Sequence, residues 1–295
     1  MTLTIILICL IAERFLLDHR HLRNNRWFFR YEQWQQRQGL PDSMQRGLVG
    51  MLLLLLPPLL LTGIFRQLFH EALFGLPDIA FSITILLYCL GPDDLDSQVD
   101  RYTQAFDNSD DAKTKAIART IIDDEPPTSE PARSQAVAEG VLFQANRRLF
   151  AVLFWFILLG PVGAMFYRLA TWLPAADQAG RDIDFSLNCK QLITILEWLP
   201  ARIAAGFYAL AGSFEDALYG WRSYQENRYS EFSDSNTGIL ICTGSGAMRM
   251  STLLEEANDG AQIYSYLPQA AMALIWRSLV VCLVIIALLT LTGLI

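Results

Sequence analysis

Long apolar runs alternate with polar stretches along this chain, and the alternation predicts its architecture. An α-helix rises about 1.5 Å per residue, so about 20 apolar residues cross a bilayer core of about 30 Å. Runs that reach or approach this length lie at residues 2–17, 47–65, 76–90, 149–173, 192–212 and 273–295. The pattern therefore predicts an all-α, polytopic membrane helical bundle of five or six spans with helical insertions.

The central run, Leu149–Leu173, contains a feature that a simple membrane anchor does not need. Gly160-Pro161 interrupts the helical pattern, because proline lacks a backbone donor and glycine weakens a helical turn. Such breaks are tolerated at membrane depth where protein or a water-lined cavity covers the freed backbone groups. We predict a break here that turns the following residues toward a cavity shared with residues 192–212.

Arg168 is an ionisable side chain within the same apolar run. A charge at membrane depth is costly unless it is paired, so Arg168 is a candidate functional residue. The alternative is that its guanidinium extends to the lipid headgroups near the end of the helix. The position of Arg168 alone does not choose between these interpretations.

The segment 18–46 is rich in arginine and aromatic residues, with six arginines against three acids. A short basic loop between spans is typical of the cytoplasmic side, and its aromatics favour an interfacial helix on anionic lipid. This orientation places both ends outside and both polar regions in the cytoplasm. The predicted organisation is 1–91 (three spans), 92–148 (polar helical region), 149–212 (central spans), 213–272 (polar loop region) and 273–295 (last span).

Composition narrows the class of protein further. The chain is 53% hydrophobic and has a mean hydropathy of +0.28, which fits a multi-pass membrane protein. Its formal net charge of -7 argues against nucleic acid as a partner. Five cysteines without a CxxC pattern predict neither a disulfide framework nor a metal site. No cleavable signal is evident, so we expect the first run to remain as a span.

Local motifs for catalysis are weak. Gly244-Ser245-Gly246 lacks the Gly-Lys-Ser/Thr of a phosphate-binding loop, and a tight turn is the alternative to an anion-binding loop. It falls in a stretch, 233–249, whose serine, asparagine and glycine content predicts a loop. Asp93 and Asp94 carry oxygen ligands that suit Mg²⁺, or they form a solvated acidic face after a helix end. The three histidines assemble no Ser/His/Asp or Cys/His nucleophile set.

A series of motifs nevertheless runs in order along the chain. Their residues are Asn146, Phe154-Trp155, Gly160-Pro161, Tyr167-Arg168, Glu197-Trp198-Leu199-Pro200-Ala201-Arg202, Ser235-Asn236-Thr237-Gly238 and Gly246-Ala247-Met248. The series resembles a membrane superfamily that contains the adenosylcobinamide-phosphate synthases of cobalamin synthesis (CobD/CbiB) and the AmpE proteins linked to β-lactamase induction. Glu13-Arg14 and the aromatic, arginine-rich segment that follows resemble the AmpE branch.

Several positions depart from the synthase pattern. Leu169 and Ala170 follow Tyr-Arg where the synthases usually carry Asn and then Asp. Ala145 replaces an acidic residue before Asn146, and Glu197 replaces an aspartate. These departures weigh against ATP-dependent amide formation on a corrinoid while leaving the residues of a family pocket in place.

The resemblance implies an inner-membrane regulatory or sensory protein that acts in β-lactamase induction through a retained small-ligand pocket. The ligand-binding candidates are Asn146, Tyr167, Arg168, Glu197, Arg202, Asn236 and Ser245. One alternative is a Mg-ATP-dependent amide-forming ligase that uses Asp93, Asp94 and Glu197 for metal or acid/base work, with Mg and a nucleotide as cofactors. Another is a membrane scaffold whose partner is the lipid bilayer, a second protein or another copy of the chain.

Overall fold

The computed structural model describes residues 2–15, 25–38, 47–70, 76–90, 95–176, 183–226, 234–256 and 262–293. Within these ranges the regular structure is helical, which confirms the all-α prediction. The helices are α1 (Thr2–Phe15), α2 (Arg26–Arg37), α3 (Gly47–His70), α4 (Leu76–Cys89), α5 (Leu95–Asp107), α6 (Asp111–Ile122), α7 (Glu130–Ala145), a π-helical segment (Asn146–Phe150), α8 (Ala151–Leu159), α9 (Pro161–Ala176), α10 (Ile183–Ala211), α11 (Phe214–Glu226), α12 (Ser235–Ala247), α13 (Met250–Glu256) and α14 (Gln262–Leu291).

Among the described residues, four helices are long and apolar enough to cross a membrane. They cover Gly47–Phe69, Glu130–Leu159, Ile183–Ala211 and Tyr264–Leu291, and two shorter apolar helices cover Thr2–Ala12 and Leu76–Cys89. The helix over residues 183–211 includes almost all of the run at 192–212 in one uninterrupted element. This set of helices is that of a multi-pass membrane protein.

The central run is not one straight helix, and the predicted break lies where the sequence placed it. α8 ends at Leu159, Gly160 adopts a φ of +69°, and Pro161 begins α9. A Cβ atom on Gly163 would lie 2.3 Å from the backbone oxygen of Trp155, which shows that α9 folds back closely on α8. Only a residue without a side chain permits this approach.

The helix that contains the first part of the central apolar run begins well before Leu149. The apolar helix that ends at Leu159 begins at Glu130, nineteen residues earlier than the apolar run suggests. Its first half mixes polar and small residues, but Ser134 and Gln144 are buried within the protein. A helix covered by protein does not need to be apolar on every side, so hydropathy alone places its start too late.

The chain packs as two compact units. The first consists of residues 1–92 and 151–197 with Ile295, and the second of residues 93–150 and 198–294. The boundary falls inside α10, between Glu197 and Trp198.

An aromatic cluster holds α2 in the first unit. The Trp172 ring of α9 lies 6.2 Å from Trp27, 5.6 Å from Phe28 and 6.0 Å from Tyr88, measured between ring centroids. The Trp27 indole also donates a hydrogen bond to the Tyr88 hydroxyl. The aromatic residues that the sequence placed at an interface therefore pack α2 against α4 and α9.

Two consecutive prolines, Pro57 and Pro58, lie inside α3. Because proline has no N–H, the carbonyl four residues before Pro57, that of Leu53, loses its helical donor. The Tyr31 hydroxyl of α2 donates to this oxygen at 3.2 Å. A side chain from another helix therefore satisfies the backbone group that the proline exposes, as membrane helices require.

In the second unit, a polar network fastens α5 and α6 to α7. Arg133 is 1% exposed and its Nη2 lies 2.9 Å from the Asp111 Oδ1. The Tyr102 and Ser134 hydroxyls are 3.1 Å apart, and Gln144 donates to the Ile121 carbonyl at 3.3 Å. Helices therefore form within the stretch at 95–145, which lies in the region 92–148 predicted to be polar and helical.

The loop predicted over residues 233–249 is instead largely helix, because α12 occupies Ser235–Ala247. A Cβ atom on Gly246 would lie 2.3 Å from the backbone oxygen of Asp216 in α11. The small residues bring two helix backbones together, so Gly244-Ser245-Gly246 is neither a tight turn nor a phosphate-binding loop. Serine and glycine in a closely packed helix pair have the composition of a loop, which explains the error.

None of the five cysteines, all of which lie in the described ranges, forms a disulfide. Cys9, Cys89, Cys189 and Cys282 are buried, and Cys242 is intermediate in exposure. This agrees with the absence of a disulfide pattern in the sequence.

Candidate functional site

In the first unit, α9 and α10 bring Tyr167 and Glu197 together. The Tyr167 hydroxyl donates to the Glu197 Oε1 at 3.1 Å. Tyr167 is 0% exposed and Glu197 is 1% exposed. A carboxyl group removed from water in this way depends on hydrogen bonds, so the Tyr167 hydroxyl stabilises Glu197 in place.

The helix that carries Glu197 is itself fixed by a hydrogen bond from α8. Pro200 lies inside α10 and offers no N–H to the carbonyl of Leu196. The Trp155 Nε1 donates to that carbonyl at 3.2 Å. Trp155 and Pro200, which the motif series singles out, therefore act on the same backbone oxygen, one residue before Glu197.

Arg168 lies beside Tyr167 on α9 and is 6% exposed. Its guanidinium carbon lies 5.6 Å from the centre of the Trp172 ring, within the range of a cation–π contact. This burial among protein side chains contradicts the alternative in which Arg168 extends to the lipid headgroups. Arg168 is thus an interior cation of the first unit, and the aromatic cluster that holds α2 lies against it.

In the second unit, Arg202 and Asn236 form a pair. The Arg202 Nη1 donates to the Asn236 Oδ1 at 3.2 Å and to the Trp198 carbonyl at 2.7 Å. The guanidinium carbon lies 4.1 Å from the centre of the Trp198 ring. Asn236 is 1% exposed, whereas Arg202 is half-buried, so this cation keeps access to small molecules.

Asn146 is the first residue of the π-helical segment and is 0% exposed. Neither its amide nitrogen nor its amide oxygen has a hydrogen-bond partner among the residues that the structure describes. Nine in ten or more buried polar groups in proteins are hydrogen-bonded, and π segments are frequent at functional sites. Asn146 is therefore the strongest candidate for contact with a bound molecule.

Two hydroxyl groups of α12 share this property. The Thr243 Oγ1 and the Ser245 Oγ are buried atoms without a partner in the described part of the chain. They flank Gly244, whose position is so close to α7 that an added Cβ would lie 2.7 Å from a methyl of Leu142. Leu142 precedes Asn146 by one helical turn. Sequence reasoning missed Thr243, because only its burial distinguishes it from other threonines.

The candidates therefore fall into two sets. Tyr167, Arg168 and Glu197 belong to the first unit, whereas Asn146, Arg202, Asn236 and Ser245 belong to the second. Asp93 and Asp94 lie outside the described residues. Within the described ranges, no group of three or more His, Cys, Asp or Glu side chains could hold a metal ion.

Comparison with known proteins identifies the family. Protein AmpE of Shigella flexneri is 25% identical over 242 residues, which cover 79% of this chain and 80% of that protein. The cobalamin biosynthesis proteins CobD of Chromobacterium violaceum and Stutzerimonas stutzeri are 35% and 30% identical over 120 and 136 residues.

The two CobD matches cover 40% and 45% of this chain, and only 37% and 44% of those relatives. No solved structure gives a significant match. A family model described as "Regulatory signalling modulator protein AmpE" matches residues 1–295. The chain therefore belongs to the AmpE family, and its CobD relatives support the wider relationship that the ordered motifs indicated.

Proposed function

We propose that this protein is a regulatory protein of the bacterial inner membrane that acts in β-lactamase induction and cell-wall stress signalling by binding a small polar ligand. The family description and the 25% identical AmpE protein support the regulatory role. We propose ligand binding because Asn146 is a fully buried amide without a hydrogen-bond partner among the described residues.

Burial of the Asn146 amide without a partner in the described part of the chain destabilises the ligand-free protein. A buried polar group without a hydrogen bond costs about 1–3 kcal/mol relative to the solvated group. Proteins retain such costs chiefly at sites where function needs the group. A ligand that accepts from the amide nitrogen and donates to the amide oxygen would remove the cost on binding, and this favours the ligand-bound state.

Other polar side chains of the second unit suggest the ligand's chemistry. The Thr243 and Ser245 hydroxyls add neutral donors and acceptors to the second unit, and Arg202 adds a half-buried positive charge. A guanidinium pairs well with carboxylate or phosphate. The ligand class is therefore a small molecule with hydroxyl or amide groups and at least one anionic group. Cell-wall fragments, which combine sugar hydroxyls, amides and carboxylates, have this chemistry.

Asn146→Leu tests the proposal, because leucine has nearly the same size and no polar atoms. The purified full-length protein is titrated with soluble muropeptides, and the unfolding temperature is measured. Wild type should be stabilised by the ligand, as binding to the native state requires. The variant should be more stable than wild type without ligand and should lose the ligand-dependent shift.

The matched control is Asn108→Leu. Asn108 is exposed and bonds only locally, to the Gln104 carbonyl at 2.7 Å, so this variant should keep the ligand-dependent shift. In cells with an inducible β-lactamase, Asn146→Leu should change induction and Asn108→Leu should not. A strongly destabilised Asn146→Leu, or an unchanged ligand shift, would contradict the pocket.

An enzyme is the second candidate, favoured by the higher identity to the two CobD proteins over less than half of the chain. In this alternative Glu197 would do acid/base work in a Mg-ATP-dependent amide-forming reaction. The test is ATP turnover by the purified protein with Mg²⁺ and a corrinoid acid. Corrinoid-dependent turnover that is lost in Glu197→Gln would establish the ligase, and the absence of turnover in a folded protein would remove it.

A further inference from the structure

The outward face of α2 has an unusual composition. Arg26, Trp27, Arg30, Trp34 and Arg37 are all exposed, and Trp27 and Trp34 remain 38% and 56% exposed. At about 100° per residue these five positions fall within an arc of about 100° of the helix. One face of a helix of twelve residues thus presents three guanidinium groups and the Trp34 indole, while Trp27 at the edge of this face bonds to Tyr88.

The opposite face of α2 is attached to the first unit. Phe28 is fully buried and packs against Trp172, while Tyr31 bonds to the Leu53 carbonyl of α3. Glu32, the only acidic residue in α2, is 2% exposed on this inner face. The inner contacts fix the helix with its basic face outward, and the helix's own carboxylate does not lie on that face.

This basic face contrasts with the rest of the molecule. The chain as a whole carries a formal net charge of -7, whereas the outward face of α2 carries three arginines and the carboxylate of α2 itself is buried on the inner face. In sequence, α2 lies between two apolar helices, Thr2–Ala12 and Gly47–Phe69. Tryptophan and arginine on a helix between two membrane segments is the composition of a surface that meets anionic lipid headgroups.

We propose that the outward face of α2 is a binding surface for anionic phospholipid, in which Arg26, Arg30 and Arg37 contact the headgroup phosphates and Trp34 inserts at the headgroup level. Each basic residue near an anionic surface contributes about fivefold to binding, so the three arginines together contribute about a hundredfold. This surface is independent of the proposed small-ligand pocket, because none of its residues belongs to that pocket.

The experiment compares phosphatidylglycerol with phosphatidylcholine. Detergent-purified full-length protein is titrated with each lipid, and bound lipid is counted by native mass spectrometry. The wild-type protein should bind phosphatidylglycerol at least tenfold more tightly than phosphatidylcholine. The variant R26Q/R30Q/R37Q should lose most of this preference. Raising the salt concentration should weaken it in wild type, because screening shortens the range of the charge attraction.

The matched control is R101Q/R119Q/R222Q, which removes the same charge from three exposed arginines of the second unit. It should keep the preference for phosphatidylglycerol. Arg30→Glu, a single change in the middle of the exposed face, provides a second test that disturbs folding less. Equal lipid preference in wild type and both α2 variants would overturn the proposal. An equal loss in the control would also overturn it, as would displacement of the lipid by millimolar inorganic phosphate.

Discussion

The Trp155 indole donates its N–H to the Leu196 carbonyl at 3.2 Å, and Pro200 leaves this carbonyl without a donor in its own helix. The bond joins α8 to α10 immediately before Glu197. It gives a physical reason for the co-occurrence of Trp155 and Pro200 in the motif series. The proline exposes an acceptor at one level of the helix, and the tryptophan donates to that acceptor from a second helix.

Trp155→Phe should lower the free energy of unfolding by about 0.5–1.5 kcal/mol through loss of the hydrogen bond, in addition to any loss of packing. In a Pro200→Ala background the hydrogen-bond part should disappear, because the backbone N–H that this substitution restores can donate to the Leu196 carbonyl. A double-mutant cycle on the detergent-purified protein measures this coupling. The same cost of Trp155→Phe in both backgrounds would contradict it.

Tyr31→Phe removes the donor to the Leu53 carbonyl and should destabilise the protein by about 0.5–1.5 kcal/mol or more, since the carbonyl lies in an apolar helix. Pro57→Ala should reduce this cost by restoring a helical donor. Tyr219→Phe, at a side chain that is 75% exposed, is the control and should change the unfolding temperature little. An equal effect at both tyrosines would show that the bond does not contribute.

Gly163→Ala should destabilise the fold by about 1–3 kcal/mol, because the added carbon would meet the Trp155 backbone oxygen and force α8 and α9 apart. Gly63→Ala is the matched control, since a Cβ there has no atom within 4 Å. That change should stabilise α3 by about 0.5–1 kcal/mol through helix propensity. Unfolding temperatures that move in the same direction for both variants would refute the close hairpin.

Acid should weaken the junction between α11 and α12. The Ser213 hydroxyl, followed by Arg249, holds the pKa of Asp216 below its ordinary value. A carboxyl group with a lowered pKa in the folded state adds stability above its ordinary pKa and loses it as the pH falls through the lowered value. Asp216→Asn should therefore destabilise the protein at pH 7, and its effect should begin to shrink below about pH 4 and vanish only below the lowered pKa of Asp216. Unfolding temperatures from pH 7 to pH 3 measure this, and a constant difference would contradict it.

The sequence predicted those parts of the fold that depend on local chemistry. The break at Gly160-Pro161 follows from the residues themselves. A uniformly apolar run, such as the one at 273–295, is enough to predict a helix at that place. The helix at Ser235–Ala247 was missed, because burial by neighbouring helices decides it.

The same limit applies to the candidate site. Asn146 was found through the resemblance, but its lack of a hydrogen-bond partner among the described residues is a property of tertiary packing. The Thr243 hydroxyl became a candidate for the same reason and had no signal in the sequence.

The distribution of cysteines gives the protein a practical use. Replacing Cys242 by serine leaves only buried thiols, so a membrane-impermeant thiol reagent would find almost no background. Single cysteines introduced at exposed positions such as Lys113 and Arg222 would then report which side of the membrane each one faces. Labelling of intact cells against opened vesicles would convert the predicted orientation, with both polar regions in the cytoplasm, into a direct map of sidedness.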